Sequence, residues 1–306
     1  MFDVAIIGLG AAGYTSAIYT ARYKLSTLLI GAEDGGMGVT AAEVGNWPGD
    51  IEVTGPDLME RMKAHAKSFS EVTQKQAYVE GVSKTKTGFA LSYRGGGSDE
   101  SRTVIFATGS KKRHLGVPGE EEFAGKGVSY CATCDAFFFR GKTVAVIGGG
   151  DAAVEGAAIV AQVAKQVYLI HRRNAYRAEP YWVERLEARE NVTFVLERTL
   201  KEIVGEGKVT GVILDKPFEG SDRLAVDGVF VEIGSDPAVD LPKALGCTLD
   251  SHGFVQVDAA QQTSVVGAFA AGDVSSASNH FAQFATAAGE GAVAANGVFN
   301  FLQTKS

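Results

Sequence analysis

At 306 residues the chain has room for two domains, at roughly 100–200 residues each. Its 45% hydrophobic and 21% charged residues are the balance of a globular protein in water, and no apolar run approaches the ~20 residues a membrane helix needs. A net charge of −7 argues against a nucleic-acid surface, and 3 cysteines are too few for a disulfide scaffold.

The chain begins with the apolar strand Phe2-Asp-Val-Ala-Ile-Ile7, with no basic n-region or cleavage site before it. That reads as no signal peptide, and a cytoplasmic location is the default. The strand runs into Gly8-Leu-Gly10-Ala11-Ala12-Gly13, an Ala-rich helix, and a second apolar strand over residues 25–30. Strand, glycine turn, helix and strand at this spacing make a βαβ unit. In the G-x-G-x-x-G pattern Gly8 permits the tight turn, Gly10 lets the backbone approach a pyrophosphate, and Gly13 lets helix and strand pack closely. Glu33 stands about 20 residues on, where an acid holds ribose hydroxyls. A packed glycine turn without a ligand is the plainer alternative; strand, helix and acid together favour a dinucleotide.

Residues 76–82, 89–93 and 102–106 read as a small antiparallel layer on one face of this first domain, with Arg94-Gly-Gly-Gly-Ser-Asp-Glu as a turn. Next comes Cys131-Ala-Thr-Cys134, followed at once by Asp135. A zinc site needs about four ligands, and neither a second C-x-x-C nor an H-x-x-H supplies them, so no metal is expected. Cys247 reads as a buried apolar residue. A C-x-x-C pair can close a reversible disulfide and hold one thiol as an attacking thiolate. Asp135 is a candidate acid or base for the thiol proton, or the cap of the helix that follows.

A second strand, turn and helix follow over residues 143–153, with Gly148-Gly-Gly150-Asp151-Ala152-Ala153 as the turn. Its next strand, residues 166–170, ends in His171-Arg172-Arg173-Asn-Ala-Tyr-Arg177 instead of an acid. Guanidinium groups in that place fit a 2′-phosphate and point to NADP(H), the alternative being a solvated basic turn. Residues 192–196, 209–214 and 228–233 read as this domain's own antiparallel layer. Residues 281–302, shortly after Gly272-Asp273, are Ala-rich with helical spacing. The fold class is α/β, with two Rossmann-like, three-layer ββα dinucleotide-binding domains.

These motifs in this order, with Asn46-Trp-Pro-Gly49 and Ala107-Thr108-Gly109, resemble low-molecular-weight thioredoxin reductases along essentially the whole chain. The resemblance implies an FAD-binding domain over residues 1–112 and 242–306, with an NADPH-binding domain, residues 113–241, inserted into it. It implies a homodimer that passes electrons from NADPH through FAD to the Cys131–Cys134 disulfide and on to thioredoxin or a thioredoxin-like protein. Cys134 would face the flavin, Cys131 would attack thioredoxin, and Asp135 would handle the proton. The FAD site would comprise Gly8, Gly10, Ala11, Ala12, Gly13, Glu33, Gly35, Gly36, Met37, Thr40, Asn46, Val79, Ala107, Thr108, Gly109, Gly272, Asp273, Ala282, Gln283 and Phe284. Gly148, Gly150, Asp151, Ala152, His171, Arg172, Arg173 and Arg177 would hold NADPH.

Three places depart from the family pattern: Met37 stands for a Gln, Gly45 for a Glu and Ala282 for an Arg. All look like neighbours of the flavin, where charge and hydrogen bonds tune a cofactor's electronics. His280 is a candidate replacement for the lost cation, or simply a surface or packing residue. Relatives that take electrons from ferredoxin, or act as dithiol oxidases, would lack the arginine cluster. A non-redox FAD-binding scaffold would leave the second cradle unexplained.

Overall fold

The computed structural model describes residues 1–304 and divides into two compact units, Met1–Lys111 with Pro237–Ser306, and Lys112–Asp236. In the first, β1 (Phe2–Ile7), α1 (Ala11–Arg22) and β2 (Thr27–Gly31) form the βαβ unit. α2 (Gly55–Lys67) and β3 (Val72–Gln76) follow, then β4 (Val79–Lys84), β5 (Phe89–Tyr93) and β6 (Ser98–Phe106). The sheet runs β3-β2-β1-β6 with all pairs parallel, while β4, β5 and the first half of β6 form an antiparallel meander.

Alternation along the strands places the two cores. Val4, Ile6 and Ile105 face the helices with Leu58 and Val298, while Ala5, Ile7, Val104 and Phe106 face the meander with Phe89 and Leu91. Successive side chains point to opposite faces, so a strand covered on both sides reads as a continuous apolar run.

The chain leaves this unit within β7 (Ser110–Lys112) and enters the second. There β8 (Val128–Ser129), α3 (Ala132–Asp135), β9 (Thr143–Ile147), α4 (Asp151–Val160), β10 (Gln166–His171), α5 (Pro180–Glu187) and β11 (Val192–Leu196) follow in turn. β12 (Leu200–Gly205), β13 (Val209–Phe218), β14 (Ser221–Leu224) and β15 (Gly228–Val231) complete it. The parallel sheet is β11-β10-β9-β15-β8, and β12-β13-β14 is the antiparallel layer. The chain returns within β16 (Ser235–Pro237), then forms α6 (Asp240–Leu245), β17 (Ala268–Ala270) beside β6, and α7 (Phe284–Gln303).

Two expectations are corrected. Residues 192–196 and 228–233 belong to the parallel sheet, not the antiparallel layer, because their apolar runs are buried between two cores. Residues 76–82 are not one strand: Gln76 ends β3 and Val79 begins β4, with the Ala77 N–H donating to the Gly31 carbonyl at the break. Residues 237–241 lie in the first unit, where Thr108 Oγ1 donates to the Ala238 carbonyl at 2.8 Å.

Candidate functional site

In the first unit a cavity of about 650 Å³ opens at the C-terminal ends of β1, β6 and β17. Ligands in open α/β sheets bind at this edge. Gly8, Gly10, Ala11 and Ala12 line one side, and Glu33, Gly36, Met37 and Thr40 the next. Val79, Ala107, Thr108 and Gly109 follow, with Gly272, Asp273, Ala282, Gln283 and Phe284 closing it.

The glycine turn shows why those residue types are needed. Gly8 has φ +128°, and a Cβ there would stand 1.9 Å from the Ala107 carbonyl oxygen. A Cβ on Gly10 would meet nothing within 4 Å, so the space before the helix is open to a ligand. Gly10 is also the N-cap of α1 and offers no side-chain bond to the first turn, whereas Thr54 caps α2 by accepting from the Asp57 N–H. Uncapped N–H groups with the positive end of the helix dipole suit an anion.

Glu33 and Asp34 are adjacent acids with different fates. Asp34 accepts from Tyr14 Oη at 3.1 Å, Lys63 Nζ at 3.0 Å and Gln74 Nε2 at 3.0 Å. Burial pushes its carboxyl up, and the bonds from Lys63, Tyr14 and Gln74 outweigh burial and hold it below the usual range. Glu33 is exposed and lines the cavity. Asp273 also lines the cavity. Burial pushes its carboxyl above the ordinary range; the Ser110 hydroxyl, 3.3 Å away, opposes that and the Glu290 charge adds to it. The buried Glu290 carboxylate accepts from the Gly272 N–H at 2.8 Å and Ser275 Oγ at 2.7 Å, fixing the turn that carries Asp273.

Three expected residues do not line the cavity. Gly13 packs α1 against the Gly8 carbonyl, and Gly35, with φ +78°, donates its N–H to Leu9. Asn46 acts at one remove, donating to Gln283 Oε1 at 3.0 Å. His280 is absent from the lining as well; its Nε2 faces Asp250 Oδ2 at 2.7 Å, which fits the reading of a packing residue. Tyr78, Lys111, Asp240 and Leu241 line the cavity without a sequence signal, because chain reversals bring them there. Lys111 is ion-paired with Asp240.

In the second unit a disulfide joins Cys131, the N-cap of α3, to Cys134 within it. Cys134 is exposed and Cys131 half-buried. The Cys131 N–H donates to Ser129 Oγ at 3.1 Å, and that hydroxyl donates to Asp135 Oδ2 at 2.7 Å, aiming the carboxylate beside the pair. Beneath the helix lies Glu232, which accepts from Lys112 Nζ at 2.6 Å and from the Ala132 N–H. Burial pushes this carboxyl up, against the pull of Lys112. Phe137 and Phe138, just beyond the pair, are 68% and 69% exposed, an apolar patch beside the disulfide.

The second glycine turn repeats the first. Gly148 has φ +150° with a Cβ position 2.1 Å from the Glu232 carbonyl oxygen, Gly150 is open, and α4 has no side-chain cap. Ala152 stands in the first turn of α4. Asp151 Oδ1 accepts from the Glu179 N–H at 2.7 Å and the Arg177 N–H donates to the Gly149 carbonyl at 2.7 Å, which ties the arginine loop to the turn. Arg172, Arg173 and Arg177 are exposed. His171 is buried beneath Gly149 and stacks on Tyr176; burial lowers its pKa, and its Nε2 has no partner among the described residues.

The sequence profile of the pyridine nucleotide-disulphide oxidoreductases matches residues 2–291. A thioredoxin reductase of Mycolicibacterium smegmatis is 43% identical over 95% of this chain and 94% of its own length. The chain belongs to the thioredoxin reductases. A solved Lactococcus lactis thioredoxin reductase superposes with a TM-score of 0.93 at 34% identity, covering 99% of this chain and 100% of that one. A Pseudomonas fluorescens protein named glucosaminate ammonia-lyase is 44% identical over 95% of this chain and 93% of its own, so the scaffold also carries another name. The thioredoxin reductases are FAD-binding, NADPH-dependent thioredoxin-disulfide reductases, and the Cys131–Cys134 disulfide is the group that reaction requires. No helix among the described residues is long and apolar enough to cross a membrane.

Proposed function

We propose that the first unit binds FAD, that the second binds NADPH, and that two electrons pass through the Cys131–Cys134 disulfide to the disulfide of thioredoxin or a thioredoxin-like protein. The observation that carries this reading is the disulfide itself, held on the same unit as an open, uncapped glycine turn with an arginine loop tied to it.

The residues fit both cofactors. In the first unit the open space at Gly10 and the uncapped start of α1 suit a pyrophosphate, Glu33 a ribose, and Asp273 the hydroxyls of a ribityl chain. In the second, Gly150 suits a pyrophosphate, and Arg172, Arg173 and Arg177 present planar donors for a 2′-phosphate. Bound FAD supplies a two-electron carrier between nicotinamide and disulfide. The chain's own part is exchange chemistry. Cys134 takes the electron pair, the Sγ–Sγ bond opens, and Cys131 leaves as a thiolate. Asp135, oriented by Ser129, holds the proton at the sulfur. The Cys131 thiolate attacks one sulfur of the partner disulfide, and Cys134 then displaces the partner as a dithiol, restoring the pair. Phe137 and Phe138 give the partner an apolar landing beside the sulfurs. On the resemblance, the enzyme works as a homodimer in the cytoplasm.

The test mixes anaerobic holoenzyme with one equivalent of NADPH and follows flavin absorbance. Bleaching with NADPH, slower bleaching with NADH, and loss of thioredoxin reduction in Cys134→Ser are expected. A flavin that stays oxidised rules out NADPH as donor and favours ferredoxin or oxidase chemistry. Thioredoxin turnover retained in Cys134→Ser removes the disulfide from the reaction.

A further inference from the structure

Away from the cavity, Asp250, His252 and His280 come together on the first unit. Their ligand-capable atoms all lie within 4.8 Å of one another, though Asp250 and His280 are 30 residues apart in sequence. Asp250 and His252 sit on the loop after α6, and His280 ends the turn before α7.

The carboxylate is held from behind. Asp250 Oδ1 accepts the backbone N–H groups of His252 at 2.8 Å and Phe254 at 3.0 Å, which leaves Oδ2 directed at His280 Nε2, 2.7 Å away. The His252 ring lies 5.1 Å from the His280 ring, and Phe254 packs on His280 at 4.3 Å as an apolar wall. A carboxylate paired with one imidazole accounts for Asp250 and His280 alone. His252 is exposed, and among the described residues its ring nitrogen has only a 3.4 Å contact with Ser251 Oγ. His280 closes a run of three non-glycine residues with left-handed backbone: Ser278 at φ +49°, Asn279 at +53° and His280 at +59°. Such conformations persist where surrounding structure fixes them, and they gather at ligand clamps.

We propose that Asp250, His252 and His280 form a three-ligand site for a divalent transition metal of the zinc class. Two imidazoles and one carboxylate, with the solvent side left for water, are a donor set suited to zinc. Bond lengths of about 2.0–2.2 Å put tetrahedral ligand atoms roughly 3.4 Å apart. On binding, the Asp250–His280 gap would open slightly and the wider gaps would close. The backbone bonds to Asp250 Oδ1 are the outer shell that orients a metal-binding carboxylate. His280 is followed by Phe281 and then by Ala282, Gln283 and Phe284, which line the cavity, so the ion would pin the start of that wall. The site stands on these side chains independently of the redox assignment.

Metal binding is measured on the oxidised holoenzyme, in which the Cys131–Cys134 disulfide leaves no accessible thiol to compete. The probes are zinc, titrated against a chromophoric chelator, and cobalt(II), read by its visible absorption. One ion per chain is expected, with affinity at least tenfold weaker in His252→Ala and in His280→Asn, where asparagine tolerates the left-handed backbone. His114→Ala, in the other unit, should bind as the parent does. Absence of stoichiometric binding in the parent protein, or affinity unchanged in His252→Ala, overturns the assignment.

Discussion

Replacing Lys112 by methionine keeps most of the aliphatic stem but strips Glu232 of its cation. The Glu232 side chain is 5% exposed and that of Lys112 22%, with 2.6 Å between their charged atoms. Breaking a buried pair from one side costs about 3–5 kcal/mol, because the remaining charge is uncompensated. The retained Ala132 N–H and the partial exposure of Lys112 set the expectation at the low end, about 3 kcal/mol. The cost must also depend on pH. Burial already raises the Glu232 pKa in the folded protein, and losing Lys112 raises it further. A carboxyl whose folded pKa is raised gives stability that is present at low pH and lost as pH rises through the folded value. The Lys112→Met defect is therefore full at pH 7.5 and shrinks toward pH 5, and Lys112→Met/Glu232→Gln recovers most of the loss. Urea unfolding of a Trp47→Phe background, where Trp182 of α5 reports on the second unit, measures it. A defect equal at both pH values and undiminished in the double variant would refute the buried-charge account.

Three further outcomes follow from the site. Alanine at Arg172, Arg173 or Arg177 should each lower kcat/KM for NADPH about tenfold, about 1.4 kcal/mol for one charge-assisted bond, and leave NADH unchanged; parallel loss with both cofactors contradicts a 2′-phosphate site. Gly10→Val places methyl groups in the open space before α1, so the purified protein should fold by circular dichroism yet lack flavin absorbance, and full flavin content would place the pyrophosphate elsewhere. Asp273→Asn should stabilise the apoprotein at pH 7.5 but not at pH 4, since burial raises the native carboxyl and its ionised form costs more as pH rises. The same variant should bind FAD more weakly in equilibrium dialysis; unchanged affinity would remove Asp273 from the ribityl site.

Both glycine turns were legible because they combine two signals, a strand of apolar residues and glycines at spacings that packing enforces. Gly8 and Gly148 show that enforcement as carbonyl oxygens standing where a Cβ would be. The break at Ala77 was not legible, since the chain turns between Gln76 and Val79 without glycine or proline. The parallel role of β11 and β15 was hidden for a related reason: a short apolar run does not say which direction its neighbour takes. Lys111, Asp240 and Tyr78 reach the cavity through chain reversals that carry no motif. The role of His280 stayed open in the sequence because its partner, Asp250, lies 30 residues away and nothing local announces it.

The uncapped starts of α1 and α4 have a thermodynamic consequence for the chain as a whole. Each leaves first-turn donors whose best partner is a phosphate, and each belongs to a different compact unit. A ligand that binds only the folded form stabilises it by mass action, about 4 kcal/mol at a thousandfold excess over its dissociation constant. On the proposed cofactor assignment, flavin would stabilise one unit and pyridine nucleotide the other. The apoprotein would then answer to two ligands, each acting on its own part of the chain.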